Sequence, residues 1–64
     1  MKPYLSVGQR VGLVFYPFCD GTVIEILAPL TIGPIFVGYK YKVRWDNPEY
    51  GTSDWITHND LQLL

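Results

Sequence analysis

Three carboxylates and three aromatic rings lie close together in the second half of the chain, and they are the clearest candidates for binding chemistry. They are Trp45, Asp46, Glu49, Tyr50, Asp54 and Trp55. Aromatic faces attract cations, a desolvated contact contributes about 2 kcal/mol, and carboxylates guide a charged partner to the surface. These residues predict a surface that accepts a Lys or Arg side chain of a partner. Turn chemistry, solvated charges and core tryptophans explain the same residues without a ligand.

A second candidate is a stripe of basic side chains on alternate residues, formed by Lys40, Lys42 and Arg44 with Arg10 as a further member. Strand residues two apart share a face and lie about 7 Å apart, so phosphate groups could meet this stripe. A solvated outer face explains the same charges. The net charge of −1 also gives no overall field that would draw the chain to nucleic acid. Nucleic-acid binding is therefore the outside hypothesis.

Catalytic and metal-binding groups are scarce in this chain. His58 and Cys19 are its single His and single Cys, too few for a Cys/His metal cluster within one chain. We interpret His58 as a surface or capping group beside a turn, and Cys19 as a partly buried small hydrophobic residue rather than a nucleophile. Phosphate-binding glycine loops, nucleophile elbows and zinc-protease signatures do not occur. The sequence predicts no enzyme, no metal and no cofactor.

Length and composition favour one small folded domain over residues 1–64. A chain of 64 residues with 48% hydrophobic, 16% aromatic and 17% charged residues is typical of a packed globule. A single Cys and the lack of a secretory segment near Met1 favour the cytoplasm. The longest apolar run, residues 24–37, is interrupted by Glu25, Pro29 and Gly33 and is too short to span a bilayer.

The elements that must position these residues are short strands. Residues 39–46 alternate strictly between a ring-rich side, which includes Tyr41 and Trp45, and the basic side. Successive side chains of a strand point to opposite faces, so we predict that this stretch is the central strand of a small sheet. A turn signal at Asp46, Asn47 and Pro48 ends it.

The remaining elements follow from alternation and turn residues. We predict a first strand at residues 10–16, a loop at 17–21, a second strand at 22–27 that forms a hairpin with the first, and a fourth strand at 52–57. A 3₁₀ turn capped by a short polar side chain at residues 58–61 then precedes a last strand at 62–64. Five short strands predict an all-β, closed antiparallel barrel.

Residues 28–38 form a long, apolar connection without helical periodicity. Its large side chains either plug an opening of the core, as a lid or an extra strand, or present an apolar patch to a partner. These side chains are Leu30, Ile32, Ile35, Phe36 and Val37.

Several short motifs, spread over residues 7–64, resemble the SH3-like barrel of Tudor domains and chromo barrels. They are Gly8-Gln9-Arg10-Val11, Gly21-Thr22-Val23, Tyr41-Lys42-Val43-Arg44-Trp45-Asp46, Asp54-Trp55-Ile56 and Asp60-Leu61. The resemblance implies a strongly bent five-stranded antiparallel barrel with a 3₁₀ turn before its last strand. It is specific for fold and unspecific for function.

Members of these families often bind methylated lysine or arginine in a cage of aromatic rings, and part of that cage is matched in this chain. Trp45 matches the ring at the end of the third strand, and Phe15 or Tyr16 matches the ring of the first strand. Two further tryptophans of chromo barrels fall on Pro48 and Thr52 here, and the Tudor equivalent falls near Asp54.

From the residues and the resemblance together we predict a non-enzymatic module that recognises a protein or peptide through an aromatic surface with an acidic rim. The residues expected to bind are Phe15, Tyr16, Phe18, Trp45, Asp46, Glu49, Tyr50, Asp54 and Trp55. The alternative is a structural accessory subunit or homo-oligomer that uses residues 30–37 as its interface. We expect a monomer or a weak homo-oligomer that has no membrane partner.

Overall fold

The computed structural model describes residues 3–33 and 35–64, without the side chains of residues 17, 30–32 and 35–37. Within these residues the fold is all-β, with six strands and one 3₁₀ turn. The strands are β1 (Arg10–Leu13), β2 (Tyr16–Leu27), β3 (Leu30–Ile32), β4 (Ile35–Val37), β5 (Lys40–Trp45) and β6 (Leu61–Leu63). The 3₁₀ turn is His58–Asp60, directly before the last strand, as the sequence predicts. The same residues include no helix that is long and apolar enough to cross a membrane.

The strands form an open antiparallel sheet in the order β5-β2-β1-β6, together with a separate two-stranded sheet of β3 and β4. The prediction of five strands in a closed barrel is therefore wrong, although the all-β class is confirmed. The strand predicted at residues 39–46 is confirmed as β5, but its predicted central position is wrong, because β5 lies at an edge of the four-stranded sheet and β2 and β1 are the inner strands.

The predicted fourth strand, residues 52–57, is reduced to two isolated bridges to β5, one from Thr52 and one from Ile56. Between them the side-chain hydroxyl of Ser53 accepts the N–H of Val43 at 2.9 Å, where a regular strand would offer a backbone carbonyl. The first bridge pairs Thr52 with Arg44 and the second pairs Ile56 with Tyr41, so this segment carries one extra residue and regular pairing cannot continue.

The predicted hairpin of the first two strands is confirmed, but its turn lies earlier than expected. β1 ends at Leu13 and β2 begins at Tyr16, so residues 14–16 are not the end of the first strand and residues 17–21 are not a loop. Leu13 pairs with Tyr16 and Gly12 pairs with Asp20, which leaves residues 17–19 as a bulge in β2. The N–H of Val14 donates to the carbonyl of Asp60 at 3.0 Å. This long-range bond fixes the turn, and local sequence does not reveal it.

The core lies on one face of the sheet. Its buried hydrophobic residues are Leu5, Val11, Val23, Tyr41, Val43 and Leu61. A bulge at Ile24 in β2 allows both Val23 and Ile26 to face this core, opposite Val43 and Tyr41. The fully buried Tyr41 is satisfied because its hydroxyl accepts the N–H of Tyr4 at 3.1 Å.

The 3₁₀ turn is not capped in the predicted way. Thr57 occupies the N-cap position, but its side chain makes no capping hydrogen bond. The ring of His58 stacks on the ring of Tyr4, with centroids 4.2 Å apart. His58 is therefore half-buried, and its ring packs on Tyr4 instead of being fully exposed at the surface.

Residues 28–38 contain a hairpin rather than a loop. β3 and β4 pair with each other, from Leu30 opposite Val37 to Ile32 opposite Ile35. Whether their side chains plug a core opening or form a patch lies outside the described residues.

Candidate functional site

Two parts of the chain meet in an open groove of about 680 Å³ at the end of the sheet where β5 finishes. The groove is lined by Leu13, Tyr16, Phe18, Cys19, Trp45, Glu49 and Tyr50. Five of these residues are among the nine predicted from the sequence. Four of the seven are aromatic, and within the described side chains Glu49 is the one formally charged residue of the lining. The groove is therefore an apolar surface with a single carboxylate.

The bulge of β2 builds one wall of the groove. Because residues 17–19 are not matched by residues of β1, the strand carries Phe18 away from the sheet, and this ring is 96% exposed. Tyr16, at the start of the same strand, is 66% exposed. Large apolar side chains that form a contiguous exposed patch are typical of interaction surfaces.

Trp45 forms the floor because a glycine lies opposite it. Gly21 pairs with Trp45, and a Cβ atom at Gly21 would lie 2.5 Å from the carbonyl oxygen of Arg44 and 3.0 Å from Cε3 of Trp45. Only a residue without a side chain lets the tryptophan ring lie against β2. The Trp45 side chain is half-buried. Part of it packs against the core, and the rest lines the groove.

The loop after β5 builds the other wall and presents Glu49 and Tyr50. The side-chain oxygen of Asn47 accepts the N–H of Glu49 at 3.0 Å, and its carbonyl accepts the N–H of Tyr50 at 3.0 Å. Gly51 ends the loop with φ of 61°, and its carbonyl accepts the N–H of Trp45 at 3.0 Å. The turn role assigned to Asn47 from the sequence thus fixes two groove residues.

Four of the nine predicted binding residues lie elsewhere. Phe15 lies in the β1–β2 turn, is 75% exposed and does not line the groove. Asp54 is exposed and also lies outside the lining. The ring of Trp55 already has a cation, because Nζ of Lys42 lies 4.8 Å from its centroid. The predicted acidic rim of three carboxylates therefore does not form as one surface.

Asp46, the fourth, belongs to the outer face of the sheet. Arg10 donates to its carboxylate through two nitrogens, at 2.7 and 2.5 Å, and also to the hydroxyl of Thr22 at 3.0 Å. The hydrogen bond to Arg10 lowers the pKa of the Asp46 carboxyl, and the same bond raises the pKa of Arg10. The pair joins β1 to the end of β5 across β2, so Asp46 is not free to receive a partner's cation.

The basic stripe is placed on the outer face as expected, but two of its members have partners within the chain. Arg10 is paired with Asp46, and Lys42 lies over Trp55. Arg44 is exposed and borders a second, smaller groove of about 390 Å³ with Thr22 and Asp46. Nucleic-acid binding through this stripe stays a prediction, with less free positive charge than the sequence suggests.

The two groove residues that sequence reasoning missed are Leu13 and Cys19. Partial burial raises the pKa of the Cys19 thiol, and the negative charge of Asp20 raises it further. The thiol is therefore protonated near neutral pH and adds a small apolar group to the wall. No local signal marks either residue, because both depend on the bulge in β2. Among the described residues no three His, Cys, Asp or Glu side chains are grouped to hold a metal ion.

No family model matches the chain, and neither a curated protein nor a solved structure matches it significantly. Its own geometry is thus the basis for assigning a function.

Proposed function

We propose that this protein is a non-enzymatic binding module that recognises a protein or peptide through the aromatic groove. The observation that carries the proposal is the convergence of Tyr16, Phe18, Trp45 and Tyr50, from two distant parts of the sequence, on one open cavity. Rings of this size supply most of the contact energy of protein interfaces, with little entropy lost on binding. Likeness to Tudor and chromo-barrel domains and a cytoplasmic location belong to the same proposal. Both rest on the sequence, and the open sheet departs from the closed barrel that the resemblance implies.

The charge of the groove favours a partner segment with few negative charges. Asp46 is neutralised by Arg10, and Asp54 lies outside, so Glu49 is the carboxylate that a bound segment meets. A Lys or Arg of the partner can place its aliphatic stem on the rings and its charge near Glu49. Glu49 then selects against acidic segments through repulsion.

The proposal is tested by NMR titration of the labelled protein with short peptides that contain apolar residues and one Lys or Arg. We expect chemical-shift changes at Trp45, Tyr50 and Phe18, and weaker binding of the same peptide with Glu in place of the basic residue. The Phe18→Ala and Tyr50→Ala variants should bind more weakly. Phe15→Ala is the matched control, since its ring is as exposed but lies outside the groove.

The proposal is wrong if no peptide moves the signals around Trp45 and Tyr50. It is also wrong if Phe15→Ala weakens binding as much as Phe18→Ala does, because the contact would then be general stickiness of exposed rings.

A further inference from the structure

The β3–β4 hairpin continues the long hairpin of β2 and β5. At the end of the β2–β5 ladder Leu27 pairs with Lys40, and β3–β4 begins with Leu30 opposite Val37. Each strand has advanced by three residues, so the register is unchanged across the interruption. We refer to β3 and β4 together as the arm.

The arm and the groove lie at opposite ends of the molecule. One end of the β2–β5 ladder is Gly21 opposite Trp45, which is the groove floor, and the far end of the arm is Ile32 opposite Ile35. Ten or eleven residues separate the two pairs along each strand, or about 35 Å at about 3.3 Å per residue. The longest dimension of the molecule is 38 Å, and the other two are 19 Å. The tip of the arm therefore lies far from the groove of its own chain.

The arm is apolar and lacks a sheet partner within the described residues. Residues 28–38 contain no charged amino acid, and β3 and β4 pair only with each other in the part of the chain that the structure describes. A two-stranded hairpin is marginally stable in water without further packing. An uncharged hairpin of this kind would gain stability by packing against an apolar surface.

We propose that the arm of one copy docks in the aromatic groove of a second copy. This inference rests on the proposed function, because it uses the same groove and names the protein that fills it. A projecting uncharged hairpin suits a concave ring-lined surface whose described lining holds one charged side chain, Glu49. Since donor and acceptor surfaces differ and lie at opposite ends, the contact is heterologous. Its repetition generates a chain of copies or a closed ring.

Two variants separate the surfaces. The groove variant is Phe18→Lys with Tyr50→Lys, at positions 96% and 61% exposed. The arm variant is Ile32→Lys with Ile35→Glu, which places opposite charges on one cross-strand pair and so preserves the hairpin. Circular dichroism and thermal unfolding should first show that both variants fold. Phe15→Lys serves as the control, because it replaces an exposed ring outside the groove with a charge.

The experiment measures mass by light scattering as concentration rises to about 1 mM, the range of weak contacts. We expect the apparent mass of the wild type and of Phe15→Lys to rise at least twofold, while each double variant stays monomeric. A mixture of the two double variants should form a one-to-one dimer that grows no further, because it contains one intact arm and one intact groove.

A wild type that stays monomeric over this range overturns the inference. So does a groove variant that still assembles on its own, because arms would then pair with each other. In both cases peptide-induced shifts at Trp45 leave the proposed function standing. If peptides do not bind the groove but the mixed variants do form the dimer, the docking of copies stands and recognition of other peptides fails.

Discussion

The two faces of β5 differ in how many of their side chains have partners within the chain. On the outer face, Arg10 pairs with Asp46 and Lys42 lies over Trp55, so most charges have an internal partner. On the inner face, Tyr41 and Val43 are fully buried, while the groove beyond Trp45 remains open. The charges of the outer face therefore mainly stabilise the fold, whereas the end of the inner face is open to a partner.

The largest effect on stability should come from closing the inner face beside Trp45. In Gly21→Ala the new Cβ would lie 2.5 Å from the Arg44 carbonyl oxygen and 2.6 Å from Cγ1 of Val43. Neither backbone nor buried side chain can yield easily, so we expect a loss of about 1–3 kcal/mol in the free energy of unfolding. Urea unfolding measures it.

Gly38→Ala is the matched control, because nothing lies within 4 Å of the Cβ that it adds. It should change stability far less than Gly21→Ala. Equal losses would show that glycine backbone freedom, rather than the close approach of Trp45 to β2, is the cause.

A smaller effect is expected for the cation of the outer face. The coupling between Lys42 and Trp55 should amount to about 0.5–1 kcal/mol, the range for exposed contacts between cations and rings. A double-mutant cycle of Lys42→Gln and Trp55→Leu isolates this coupling from the packing of each side chain. A coupling energy near zero would mean that Trp55 is free to receive a cation of a partner, as the sequence predicts.

The smallest effect should come from Asp46, because its pair with Arg10 is half-exposed and screened by solvent. The pKa of this carboxyl is lowered in the folded state, so its contribution is present above the unfolded pKa of about 3.9 and is lost as pH falls through the folded pKa. Urea midpoints of the wild type and Asp46→Asn should differ at pH 7 and converge in acid. A difference that persists unchanged to about pH 2 would contradict the ion pair.

Period-two alternation predicted β5 and the separation of its two faces, because a strand with one buried face has to alternate. It also placed Trp45 and Tyr50 near each other, since a short loop joins them. The 3₁₀ turn before the last strand was predicted from local residues as well. These features depend on neighbours in sequence.

Contacts between distant residues decided the remaining features. Arg10 reaches Asp46 across 36 positions, and this pairing requires the register of three strands. The β1–β2 turn depends on the bond between Val14 and Asp60. The predicted fourth strand is interrupted at Ser53, whose hydroxyl accepts the N–H of Val43 in place of a backbone carbonyl. None of these bonds leaves a periodic signal in the sequence.

The position of the single thiol makes the groove directly observable. Cys19 is the one cysteine of the chain and lies in the groove wall, so a fluorophore or spin label attached there reports occupancy without any substitution. Because the pKa of this thiol is raised, labelling proceeds through the thiolate faster at mildly alkaline pH. A bound segment should protect Cys19 from the reagent, so the labelling rate itself becomes an assay for the partner.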